Sequence, residues 1–119
     1  MRTILVISQH PRELVKKLKC YQSITVDLGN ILEYNSTNGR SVIFYLVNNV
    51  MDFNIRLKGI KFHMIIDDGT SDIYNDVVNE NRLKRWVNKF IDVVGTQYIS
   101  NKNTNNIIEI VEKEMKDYN

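Results

Sequence analysis

The chain has 119 residues, of which 43% are hydrophobic and 25% charged, with a formal net charge of +2 and a pI near 8.7. That usage excludes bulk disorder, and at this length one domain buries about two-thirds of the surface of its unfolded chain, so a core forms without staples. The mild positive excess permits nucleic-acid contact without demanding it.

The single cysteine, Cys20, has no partner for an internal disulfide, which suits a reducing compartment. The first residues lack the apolar length and cleavage site of a secretory signal. No run approaches the ~20 apolar residues of a membrane span. A cytoplasmic single domain over residues 1–119, with no membrane contact, is the expectation. Alanine is absent and Asn, Ile, Lys and Tyr are abundant, a coding bias of AT-rich genomes that suits a viral or phage source.

In chain order, Thr3–Ile7 is short, apolar and β-branched, and reads as a buried strand. Ser8-Gln9-His10-Pro11 opens a helix, since proline suits the first turn where its missing N–H has no partner. Leu14, Val15, Leu18 and Tyr21 make its apolar stripe, and Arg12, Lys16 and Lys19 a second, basic face. Ser23–Asp27, Ile31–Tyr34 and Ser41–Val47 are strand candidates, the last two joined by a hairpin loop containing Asn38-Gly39. Phe53–Lys58 is ambiguous. Ile60–Ile66 is predicted as the central strand, stopped by Asp67-Asp68-Gly69-Thr70. A helical region with Ile73, Val77 and Val78 leads into a clear helix over Arg82–Val94. Its apolar positions Leu83, Trp86, Val87, Phe90, Ile91 and Val94 follow the 3.6-residue period, and Gly95 stops it. Thr96–Ile99 predicts a last strand. A terminal helix carries Ile107, Ile108, Val111 and Met115 on one side. Alternating strands and helices predict an α/β sandwich with a mostly parallel or mixed sheet flanked by helices. Ligands of such sheets bind at the carboxyl ends of the strands. Ser8, Asp67 and Asp68 meet there if the strands before them are parallel neighbours.

Asp67 and Asp68 are the richest chemical feature. Adjacent carboxylates repel and are often offset by Mg²⁺ or by basic side chains, with Asp72 and Asp76 adding charge nearby. The plainer reading is that they cap the turn that follows. His10 at a helix start and His63 in an apolar strand read as structural, and neither belongs to a zinc-spaced cluster. Arg82, Arg85 and Lys89 share a helical face by i, i+3, i+7 spacing. With Arg12, Lys16 and Lys19 they are the candidate nucleic-acid or partner contacts, against the ordinary reading of solvated helix faces. Trp86 belongs to the apolar stripe.

The stretches Asn38-Gly39-Arg40-Ser41-Val42-Ile43-Phe44 and Arg56-Leu57-Lys58-Gly59-Ile60-Lys61-Phe62-His63-Met64-Ile65-Ile66-Asp67-Asp68 resemble the Walker B region of phage terminase and helicase-type P-loop ATPases. The resemblance covers about a quarter of the chain. It implies that Asp67 matches the Mg²⁺-associated acid and that Asp68 stands where that family has its catalytic glutamate. The chain departs from the family in having no G-x-x-x-x-G-K-[ST] loop after the first strand, where a phosphate cradle would be. The resemblance then implies a scaffold kept for binding rather than hydrolysis.

Three readings are left open. The first is a non-enzymatic binding or regulatory protein, of the viral or phage accessory kind, that contacts a protein or a nucleic acid. The second is a Mg²⁺-dependent nucleotide or nucleic-acid enzyme using Asp67 and Asp68. The third is direct nucleic-acid binding through the two basic faces. A homo-oligomer is compatible with each.

Overall fold

The structure, a computed structural model, describes residues 2–35, 39–49, 57 and 59–118. Among the described residues, six strands and three α-helices follow in the order β1 (Arg2–Ile7), α1 (Pro11–Lys16), β2 (Ile24–Asp27), β3 (Ile31–Asn35), β4 (Ser41–Val47), β5 (Met64–Asp67), α2 (Val77–Val94), β6 (Gln97–Ser100) and α3 (Thr104–Tyr118). Short 3₁₀ turns occupy Lys19–Ser23 and Asp72–Asn75. The strands form one sheet in the order β2-β3-β4-β1-β5-β6. β4, β1, β5 and β6 are parallel, while β3 runs antiparallel to both β2 and β4. This is the expected α/β sandwich with a mixed, mostly parallel sheet.

Burial explains which segment became which strand. β1 lies in the middle, covered on both faces, so Ile4 to Ile7 form an unbroken apolar run with at most 1% exposure. β3 and β4 alternate buried with half-buried residues, as antiparallel neighbours covered unequally do. β2 is a four-residue edge strand with a register shift between Ile24 and Val26, and a short irregular edge resists pairing with another chain.

Side chains pointing to opposite faces feed two cores. Ile4, Val6, Phe44, Met64 and Ile66 pack under α1 and α3, with Leu14, Val15, Ile107, Val111 and Met115. Leu5, Ile7, Val47, Phe62 and Ile65 pack under α2, with Leu83 and Val87. Phe62 anchors the second core, within ring contact of Tyr45, Trp86 and Phe90.

Four expectations change in detail. The first helix ends at Lys16, because Lys17 and Leu18 donate to carbonyls three residues back and Leu18 turns extended at ψ 144°. Leu18 stays buried by dropping into the core as the chain leaves the helix. Lys19 therefore lies beyond α1 and shares no helical face with Arg12 and Lys16. β5 begins at Met64 rather than Ile60 and is fifth in the sheet; β1 and β4 hold the centre. Ile60 to His63 approach it irregularly, with the His63 N–H donating to Thr3 O. α2 starts at Val77, five residues earlier than its apolar stripe suggests, because Asp76 caps it through Val78 N–H. The hairpin-loop residues 36–38 and all of 53–58 except Leu57 lie outside the described residues. Among the described residues, no helix is long and apolar enough to cross a membrane.

Candidate functional site

The parallel strands occur in the chain as β1, β4, β5, β6 but sit in space as β4-β1-β5-β6. From β1 the chain moves one way to β4, then returns past β1 to β5. Connections therefore leave β1 and β5 in opposite directions, which opens a crevice at their carboxyl ends. Ile7 pairs with Asp67 there. The loops 8–10 and 68–71 face each other across it.

Those two loops are tied together by their own polar groups. Ser8 Oγ donates to Asp68 Oδ2 at 2.6 Å and accepts from His10 N–H at 3.1 Å. Gln9 N–H donates to Thr70 Oγ1 at 2.9 Å. Asp68 Oδ1 accepts both Thr70 N–H, at 3.0 Å, and Thr70 Oγ1–H, at 2.6 Å. Ser8 N–H is spent on Val47 O, and Pro11 has none. A phosphate-binding turn presents free amides to its ligand; here the amides of Ser8, Gln9 and His10 each have an internal acceptor. A cavity of about 230 Å³ lies beside this network, lined by Ser8, His10, Lys17, Asp68, Thr70 and Thr104 among others. It is smaller than the ~300–1,000 Å³ of usual small-molecule sites.

Asp67 points the other way, as successive residues leaving a strand do. It is fully buried. Its Oδ1 accepts Gly69 N–H at 2.9 Å, and its Oδ2 accepts the Tyr98 hydroxyl at 3.1 Å and, in a shorter bond, the Tyr74 hydroxyl. Gly69 adopts φ +77° to make that turn. Burial pushes the Asp67 carboxyl above the usual carboxylate range, against the pull of Tyr74, Gly69 and Tyr98. Both phenols are pushed up as well, first by burial and then by Asp67, through its hydrogen bond at Tyr74 and its charge at Tyr98.

The two acids thus serve opposite faces of the sheet. Each carboxylate accepts three hydrogen bonds from protein. Among the described residues, no three His, Cys, Asp or Glu side chains group closely enough to hold a metal. Asp72 lies in the second 3₁₀ turn and Asp76 caps α2.

No family model, curated protein or solved structure matches the chain.

The basic candidates separate by what they touch. Arg12 is committed to structure: its guanidinium grips Asp27 with two bonds of 2.8 and 2.7 Å and adds Gly29 O. That pairing holds the Asp27 carboxyl down at about 2. Lys16 lies 3.2 Å from Glu13. Lys19 side chain is exposed, and its N–H donates to Glu112. Arg82, Arg85 and Lys89 are exposed on α2 and make no ion pair among the described residues. At 100° per residue they fall within an arc of about 60°. His10 is exposed at the start of α1, and exposed His63 accepts Thr3 N–H at the opposite, amino end of the sheet.

Thr70, Tyr74 and Tyr98 are the residues that sequence reasoning missed. Asp-x-Thr is a legible turn signal for Thr70. No local pattern brings two tyrosines from separate elements onto Asp67.

Proposed function

We propose that this chain is a non-enzymatic binding or regulatory protein that grips nucleic acid by its phosphates on the outer face of α2. A contrast between two surfaces carries the reading. At the switch point, the Asp68 carboxylate and the Gln9, His10 and Thr70 amides are engaged within the protein. On α2, Arg82, Arg85 and Lys89 stand exposed, without ion pairs among the described residues, along about 10 Å of helix. A line of cations suits an evenly charged backbone, and arginine forks suit phosphate oxygens.

The parallel strands, the switch point and the Asp67-Asp68 strand end support reading the fold as a nucleotide-binding-like scaffold without its phosphate loop. The lone Cys20 and the coding bias support a viral or phage accessory protein working in host cytoplasm.

Anisotropy of a fluorescent DNA oligonucleotide tests this. Affinity falls with salt at a log–log slope of about −2 to −3, set by three phosphate contacts. Replacing Arg82, Arg85 and Lys89 together by Gln removes most of that slope. Unchanged affinity in the triple variant, or nucleotide turnover in Mg²⁺ that Asp68→Asn abolishes, overturns the reading.

A further inference from the structure

We infer that a second cleft, at the amino end of the parallel strands, binds an amphipathic anion, an anionic head carrying an apolar tail. It lies between the Lys19–Ser23 turn, Tyr34 of β3 and the last turns of α3, and encloses about 600 Å³. That volume falls within the ~300–1,000 Å³ of small-molecule sites. Tyr34 pairs with Val42, whose other neighbour is Arg2 at the start of β1. The cleft is therefore at the far end of the sheet from loops 8–10 and 68–71, and shares no lining residue with the cavity there.

Its chemistry is two-sided. The floor is apolar: Tyr34 and Met115 are 8% and 5% exposed, and Cys20 is half-buried. Burial, with the Glu112 charge, pushes the Cys20 thiol up to about 11, so at neutral pH it lines the floor as a neutral group. Methionine adapts to tails of different shape. The rim is cationic: Lys19, Lys113 and Lys116 face a single carboxylate, Glu112. None of the three lysines forms an ion pair among the described residues. Glu112 itself is engaged by Lys19 N–H at 2.6 Å. Lysine stems lie along apolar surface and keep their charge at its edge. An apolar body under two uncompensated positive charges selects an amphipathic anion over a neutral or cationic one.

Decanoate is the probe, displacing 8-anilinonaphthalene-1-sulfonate from the full chain, with decyltrimethylammonium as the cation of equal tail. The inference requires displacement by decanoate alone. It also requires a drop of about tenfold or more in decanoate affinity for the Lys113→Glu/Lys116→Glu variant, with Lys84→Glu, on α2, binding as the parent does. In the unmodified protein, decanoate slows the reaction of Cys20 with a thiol reagent, which decides the matter should the charge-reversed variant fail to fold. Equal displacement by the cation overturns the inference. So does unchanged decanoate affinity in the double variant, the result expected if the two lysines only balance the carboxyl end of α3, or an unprotected Cys20. DNA binding by α2 responds to other residues, so the two proposals fail separately.

Discussion

Asp67 has been taken out of water and given three hydrogen bonds in exchange, yet burial still dominates its titration. An acid whose folded pKa lies above its unfolded value of about 3.9 holds its proton longer in the native state. Its contribution to stability is then greatest at low pH and declines as pH rises through the folded pKa. Asp27 has the opposite sign: held down at about 2 by Arg12, it favours the native state above about pH 4 and loses that contribution as pH falls through the folded value. Being exposed to solvent, it carries little of the total. Asp67→Asn keeps the shape and removes the proton. The expected outcome is that urea unfolding between pH 4 and 7 loses the downward component with rising pH that the parent shows, read as the difference between the two curves. Identical pH dependence in parent and variant refutes a burial-raised Asp67.

At the scale of elements, the ends of α2 show how local chemistry sets boundaries. Asp76 accepts Val78 N–H at 2.9 Å and so starts the helix upstream of its buried stripe. Val77 and Val78 are consequently helical although exposed. At the other end Gly95 turns left-handed at φ +73° and donates its N–H to Ile91 O. Nothing lies within 4 Å of where a Cβ would stand, so Gly95→Ala isolates the backbone cost. The variant is expected to lose about 1–2 kcal/mol, measured by thermal or urea unfolding, with unchanged DNA affinity because α2's outer face is untouched. The helix period located α2 and α3 and the buried Leu83, Val87, Ile107, Val111 and Met115, although Ile91 of the α2 stripe stays exposed. The same reasoning carried α1 too far, because Leu18 satisfies the helical stripe and is buried, but from an extended backbone. Apolar spacing cannot distinguish a residue on a helix face from one that enters the core just after the helix stops.

Across the whole molecule, the two cores lie on opposite faces of the sheet, and Phe62, just before β5, packs against Tyr45 of β4 and against Trp86 and Phe90 of α2. It is fully buried, with ring centroids of Tyr45, Phe90 and Trp86 at 5.5, 5.7 and 6.1 Å. Phe62→Ala should cost about 3–5 kcal/mol of a total that is about 5–15 kcal/mol for domains of this kind. Denaturant unfolding of the variant checks this; a loss under about 1 kcal/mol would mean that α2 is held by other contacts.

Most strands were legible because each carries its own evidence: continuous apolar runs for β1, β4 and β5, an Asn-Gly turn signal between β3 and β4, and helical periods after them. The meeting of Ser8 with Asp68 was legible only as a condition, that β1 and β5 lie side by side and parallel. Strand order decides that condition. It depends on how the chain crosses back over β1, a long-range choice that no local window contains. The tertiary structure alone also sent Asp67 and Asp68 to opposite faces and brought Tyr74 and Tyr98 to Asp67. It likewise closed the cleft of Lys19, Lys113 and Lys116 from segments more than ninety residues apart. By itself, the order of residues determined which segments bury and with what period, since burial pattern is a property of neighbours along the chain. Which polar groups meet is a property of neighbours across the sheet, and only packing chose them.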